Sequence, residues 1–123
     1  MKRKKLIFVY NADSGLINGL MDFAHKIFSP QTYACNLCAI TYGNFGMKNE
    51  WRDFLKKLNY EIDFLHKDEL IKHYPHQATL PLPAVMISNN TNQEVLIDSE
   101  RLNNMTSLTE LESTILASLK MYD

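Results

Sequence analysis

The segment Leu82-Pro83-Ala84-Val85-Met86-Ile87 decides the fold of this chain, because a proline stands directly before an apolar run. Proline has a fixed φ and no amide hydrogen, so within a sheet it is tolerated at the first position of a strand. The polar residues 88–93 predict a turn, and Glu94 to Ile97 predicts a second strand. We therefore expect a β-hairpin that begins at Pro83.

A helix is predicted after this hairpin. Ser107-Leu108-Thr109-Glu110 has the pattern of a capping box, in which the serine and the glutamate satisfy free amides at a helix start. Apolar residues then recur at a spacing that places them on one side of the helix: Leu108, Leu111, Ile115 and Leu119. The chain is thus expected to close with a helix that packs this side inward.

The first part of the chain predicts a strand and a helix. Lys5 to Tyr10 is rich in β-branched and aromatic residues and indicates a buried central strand. From Leu16 to Phe28 the apolar residues follow helical spacing. Residues 31–47 are ambiguous, since Ala39 to Tyr42 favours a strand, whereas Ser29-Pro30 before it and Gly43 after it would frame a short helix.

The middle of the chain continues this alternation of helices and strands. Lys48 to Leu58 is predicted to be a helix whose inner face carries Trp51 and Phe54. Tyr60 to Leu65 alternates apolar and polar residues, as a strand does. A short helix is expected next, capped by Asp68 and stopped by Pro75. No repeat or linker divides the sequence, so residues 1–123 are predicted to form one α/β domain.

Composition excludes several classes of protein. Of 123 residues, 46% are hydrophobic and 22% charged, as in ordinary globular domains. A formal net charge of −1 argues against a nucleic-acid binder, which needs a basic face. The basic start Met1 to Lys5 is followed by only four apolar residues, too few for a signal peptide or a membrane span. We therefore expect a cytoplasmic protein with no membrane contact, whose partner is an unidentified protein or small molecule.

The order of the predicted elements resembles that of thioredoxins and glutaredoxins. The resemblance covers Lys5 to Phe28 and then Tyr60 onward: strand, short helix, Leu-Pro dipeptide, hairpin and final helix. It implies a thioredoxin-like domain, with a central mixed sheet flanked by helices and an insertion at about residues 29–47.

The resemblance also implies where a site would lie. In that family the proline before the third strand is cis and lines the active site, which points to Pro83. Asp13 and Ser14 occupy the family's substrate-binding turn, where free helix amides would hold an anion such as a carboxylate or phosphate. The alternative role of these two residues is to cap the helix. The family's Cys-x-x-Cys pair belongs at this turn, but Asn11-Ala12-Asp13-Ser14 contains no sulfur.

The chain does contain one such pair elsewhere, in Cys35-Asn36-Leu37-Cys38. Two thiolates at this spacing chelate a thiophilic ion, with His25 and Asp22 as further ligands if the insertion folds back. Zinc would accept this mixture, and copper(I) would need only the sulfurs. The same pair is also typical of a redox-active dithiol, and both cysteines equally suit the interior as small apolar side chains. Without a secretion signal, reduced thiols are expected.

Three hypotheses for function follow from these residues. In the first, Cys35 and Cys38 form a thiol site that binds a metal. In the second, the same cysteines catalyse thiol–disulfide exchange near Pro83. In the third, the chain is an interaction module that kept the fold and has no active thiol site.

Overall fold

The computed structural model describes residues 4–12, 35–43, 46–89 and 92–122. In chain order, the helices and strands within these ranges are β1 (Lys5–Val9), α1 (Asn36–Thr41), β2 (Tyr42–Gly43), β3 (Gly46–Met47), α2 (Asn49–Lys57), β4 (Glu61–Leu65), α3 (Lys67–His73), β5 (Ala84–Ser88), β6 (Gln93–Ile97), α4 (Ser99–Asn103) and α5 (Leu108–Leu119). A 3₁₀ turn, Pro75–Gln77, follows α3. The chain is therefore a mixed α/β protein, as predicted.

A mixed sheet with strand order β4-β1-β5-β6 forms the centre of the molecule. β1 runs parallel to β4 and antiparallel to β5, which forms the predicted hairpin with β6. At one end of the sheet Val9 lies between Leu65 of β4 and Ala84 of β5. The pairing of β1 with β4 continues past both strands, because the amide of Tyr10 donates to Leu65 and that of Lys67 donates to Ala12, each at 2.9 Å.

Side chains of β1 are buried on both faces of this sheet. Leu6, Phe8 and Tyr10 point into a large apolar cluster, and Ile7 and Val9 point into a smaller one on the other side. The larger cluster contains inward residues of α1, α2, α4 and α5, and the smaller one contains Leu70 of α3. Burial on both faces explains why β1 reads as an uninterrupted apolar run.

Helices α2 and α5 confirm the spacing seen in the sequence. Trp51 of α2 is 1% exposed, and its ring meets Phe8 edge-on with centroids 5.3 Å apart. Ser107 caps α5 as predicted, since its hydroxyl accepts from the amide of Glu110 at 3.1 Å. The Glu110 carboxylate instead accepts from the amide of Thr106 at 2.9 Å, one residue before the predicted partner.

The prediction of Asp68 as the cap of α3 was wrong. The helix begins at Lys67, and its capping residue is His66. The carboxylate of Glu69 accepts from the backbone amide of His66 at 2.8 Å and also contacts its ring Nδ1. The capping position therefore lies two residues earlier than predicted, and the acidic side chain of Glu69 stands three residues after it.

Within the ambiguous segment, the described residues 35–43 and 46–47 form helix α1 and the two antiparallel strands β2 and β3. The predicted helix over Leu16–Phe28 lies outside the described residues. Helix α4 was not predicted, although Asp98 caps it by accepting from the amide of Arg101 at 2.9 Å. Over the ranges given above, no helix combines the length and apolar character that crossing a membrane requires.

Candidate functional site

Cys35 and Cys38 are joined by a disulfide, with their Cα atoms 5.4 Å apart. The expectation of reduced thiols is therefore wrong for this structure. Helix α1 makes the bond possible, because its first turn brings residues three positions apart onto the same side. This is the part of the predicted site that the structure brings together.

Cys35 occupies the capping position of α1. Its sulfur accepts from the backbone amide of Cys38 at 3.4 Å, and its carbonyl accepts from the amide of Ala39 at 3.2 Å. A sulfur in this position faces amides that have no partner within the helix. Such a contact stabilises a thiolate more than a thiol, so the geometry favours Cys35 as the more nucleophilic of the two.

Both cysteines are buried. Cys35 is 6% exposed and Cys38 is 3% exposed, and both belong to the larger apolar cluster. Their helix neighbours Leu37 and Ile40 point into the same cluster. A partner thiol therefore reaches the sulfurs only when α1 moves away from the core.

The far end of α1 is fixed by polar contacts. Thr41 is fully buried, and its hydroxyl donates to the carbonyl of Leu37 at 2.6 Å. The amide of Lys48 donates to the carbonyl of Thr41 at 2.9 Å and so closes the β2–β3 hairpin against the helix. The Tyr42 ring, directly after α1, meets the ring of Tyr10 at a centroid distance of 6.0 Å. These contacts connect the disulfide helix to the end of β1.

Tyr10 lies at the centre of an aromatic group at this end of the sheet. Its ring stacks on Phe64 at 6.1 Å and lies 5.7 Å from the ring of His66. Burial raises the pKa of the Tyr10 phenol well above its usual value, and the nearby Tyr42 acts in the same direction. The phenol is consequently protonated at neutral pH, so it cannot act as the base that deprotonates a cysteine thiol.

Pro83 is the other predicted residue that the structure describes. It is buried, and the peptide bond from Leu82 to Pro83 is cis. Because Ala84 pairs with Val9, Pro83 precedes β5 at the end of the sheet where Tyr10 follows β1. The predicted anion-binding residues Asp13 and Ser14 lie outside the described residues, as do the predicted metal ligands Asp22 and His25.

The metal hypothesis consequently stays a prediction. Among the residues that the structure describes, no three histidine, cysteine, aspartate or glutamate side chains form a group that could hold a metal ion. His76 contacts Gln93, with 2.9 Å between its Nε2 and the amide oxygen, and lies in the 3₁₀ turn after α3. Any third ligand for Cys35 and Cys38 would therefore come from residues such as His25 and Asp22.

Sequence reasoning missed Asn36, which lies between the two cysteines. Its side-chain amide donates to the carbonyls of Leu102 and Met105, each at 2.7 Å. Nothing local in the sequence indicates these partners, which lie 66 and 69 residues away. The role of His66 had a weak signal, namely a glutamate three residues after it.

No family model matches the chain, and no curated protein or solved structure is significantly similar to it. Functional inference therefore depends on the chemistry of the chain's own residues.

Proposed function

We propose that this protein is a thiol–disulfide oxidoreductase that uses Cys35 and Cys38. The observation that carries the proposal is that the two sulfurs are bonded within the first turn of α1, with Cys35 at the capping position. The three-residue spacing keeps the two sulfurs within reach of each other in both the dithiol and the disulfide form, and a partner gains access to them when α1 opens.

A purely structural role explains the disulfide less well. A cross-link stabilises a protein mainly by restricting the unfolded chain, and the effect grows with the length of the closed loop. Residues three positions apart close a very short loop, for which the chain-entropy relation gives roughly 2 kcal/mol. The pair also lies in an apolar cluster that already connects the sheet to four helices. A redox role uses cysteines that are close in sequence, whereas a structural cross-link adds little stability when the loop it closes is this short.

Exchange would proceed through Cys35. In the reduced protein the Cys35 thiolate attacks one sulfur of a partner's disulfide, forms a mixed disulfide and releases the partner's other sulfur as a thiolate. Cys38 then loses its proton to solvent and attacks Cys35, and the partner's second sulfur leaves as a thiolate. The partner's disulfide is thus reduced by two electrons, and Cys35 and Cys38 are oxidised to the disulfide. The reverse sequence oxidises a partner dithiol.

Three features of the site serve these steps. The amide of Cys38 faces the Cys35 sulfur and supports its thiolate. The short loop keeps Cys38 within reach of the mixed disulfide. The apolar surroundings of Cys38, which is 3% exposed, keep it away from thiols other than Cys35.

The thioredoxin-like classification of the fold is part of the proposal. It is supported by the order of elements from β4 onward, which is strand, short helix, Leu82-Pro83, hairpin and final helix. The position of Pro83 directly before β5, at the end of the sheet where β1 ends, is consistent with it. The cysteines differ from the family pattern, since they follow β1 by 26 residues instead of standing at its end.

Trapping experiments test both the activity and the roles of the two cysteines. Cys38→Ser should form a long-lived mixed disulfide with a small aromatic disulfide reagent, because the resolving thiol is absent. Cys35→Ser should react more slowly, since it lacks the sulfur whose thiolate the backbone amide of Cys38 supports. Wild-type protein that has first been reduced should release two equivalents of the aromatic thiol and end as the intramolecular disulfide. Equal reactivity of the two variants would contradict the assigned order.

The other two hypotheses give different results in the same samples. If the cysteines bind metal, the reduced wild-type protein should retain stoichiometric zinc or copper, and His25→Ala should release it. If the chain is only an interaction module, wild-type protein should neither exchange with disulfides nor bind metal. Metal retention without exchange, or the absence of both, would rule out the proposed oxidoreductase activity.

A further inference from the structure

The side chain of Asn36 fixes the segment between the two cysteines to a distant part of the fold. Its Nδ2 donates two hydrogen bonds of 2.7 Å, to the carbonyls of Leu102 and Met105. Asn36 is the first residue of α1, so the anchor acts at the turn that carries both sulfurs.

The anchoring residues are themselves firmly held. Leu102, in α4, is fully buried, and Met105, just after α4, is 6% exposed. Both side chains belong to the same apolar cluster as Cys35 and Cys38. The two carbonyls thus belong to a well-packed part of the fold, and Asn36 connects the start of α1 to it.

We infer that Asn36 is a positioning residue that sets the reduction potential of the Cys35–Cys38 pair. The inference rests on the proposed function. With the disulfide reduced, the anchor still holds the start of α1 in place, so the two thiols stay close together. Reacting groups held close together have a high effective concentration, which favours formation of their bond. The anchor thus makes the disulfide harder to reduce.

Loss of the anchor has a defined direction. Without the Asn36 amide, the reduced segment gains freedom, whereas the oxidised segment remains constrained by its covalent bond. Freedom gained only in the reduced state shifts the equilibrium toward the dithiol. The potential should therefore become less negative.

The test is an equilibrium titration of the full chain against reduced and oxidised glutathione. For Asn36→Ala we expect the equilibrium constant for disulfide formation to fall about tenfold, which corresponds to a shift of about 30 mV for a two-electron couple. Asn36→Ser, which keeps one hydrogen-bond donor on a shorter side chain, should fall between this variant and the wild type. Asn103→Ala is the matched control, because Asn103 is an exposed asparagine at the end of α4. For this variant the equilibrium constant for disulfide formation should stay within twofold of the wild-type value.

Unfolding by urea separates positioning from simple stabilisation. If Asn36 sets the potential, Asn36→Ala should lower the stability of the oxidised protein more than that of the reduced protein. An equal loss in both forms, with an unchanged potential, would overturn the inference and leave the oxidoreductase proposal intact. If Asn36→Ala does not fold, the reduction potential of Asn36→Ser tests the inference, which requires it to be less negative than that of the wild type. Wild-type protein that fails to equilibrate with glutathione would remove the proposed function, and the inference with it.

Discussion

The carboxylate of Glu69 accepts a hydrogen bond from the backbone amide of His66 at 2.8 Å and also contacts the ring nitrogen Nδ1 of the same residue. The amide of His66 is the main reason why the pKa of the Glu69 carboxyl is lowered, and the His66 ring adds to this effect. The carboxylate thereby satisfies a backbone group at the start of α3, directly after the strand that pairs with β1.

Glu69→Ala should therefore destabilise the protein by about 1 kcal/mol at pH 7, the usual loss when a helix cap is removed. A carboxyl group whose pKa is lowered in the folded state contributes stability above its unfolded pKa, and this contribution disappears as the pH falls through the folded value. The difference between wild type and variant should consequently shrink below about pH 4. Urea unfolding, followed by fluorescence of the only tryptophan, Trp51, measures this. A difference that is the same at pH 7 and pH 3 would contradict the capping role.

The error at Asp68 and the success at Ser107 have a common physical basis. Both predictions used the preference of small polar residues for the capping position. At Ser107 the small polar residue does occupy the capping position, whereas near Asp68 the strand β4 ends at Leu65 and the chain turns immediately, so His66 already takes that position. Where a strand ends depends on its neighbour in the sheet, which a local pattern does not contain.

The fold was easier to predict than the site for the same reason. Apolar spacing and turn residues, which are local properties of the sequence, predict β1, the hairpin at Pro83 and α5. Asn36 instead finds acceptors that tertiary structure alone brings to it. The strand alternative for Ala39 to Tyr42 was wrong over residues 39–41, which belong to α1, and the strand begins only at Tyr42.

Glu112 in α5 should behave in the opposite way to Glu69. Burial raises the pKa of its carboxyl, and Glu50 of α2 acts in the same direction. A raised carboxyl pKa means that the folded state disfavours the charge, so the wild-type protein gains stability as the pH falls through the folded value. Glu112→Gln removes the charge and should stabilise the protein by about 0.5 kcal/mol at pH 7, a size typical of solvent-screened charges.

This gain should vanish near pH 4, where the carboxyl of the wild-type protein is also protonated. Glu94→Gln, on an exposed position of β6, is the control and should change stability little at either pH. Destabilisation by Glu112→Gln at pH 7 would show that the charged carboxylate makes a favourable contact instead.

Phe8 is the residue on which the larger cluster should depend most. It is fully buried, and its ring contacts both Trp51 at 5.3 Å and Phe64 at 5.5 Å, thereby connecting α2 and β4 through the central strand. Phe8→Ala should cost about 3–5 kcal/mol, through lost apolar burial and the cavity that remains. Phe8→Leu keeps most of the volume and should cost clearly less. Equal losses for the two variants, measured by urea unfolding, would contradict a packing origin.

The buried disulfide predicts a slow reaction with reducing agents. Cys35 and Cys38 are only 6% and 3% exposed, so a phosphine reductant must wait until α1 opens. We expect reduction of the native protein to be at least tenfold slower than in 8 M urea, and to accelerate in Asn36→Ala, because that variant lacks the two bonds from α1 to residues 102 and 105. The Asn103→Ala control should react at the wild-type rate. The protein thiols that form over time can be quantified with a chromogenic reagent. If native and unfolded protein react at the same rate, the sulfurs are accessible to solvent in the native protein. Burial would then not protect Cys38 from other thiols.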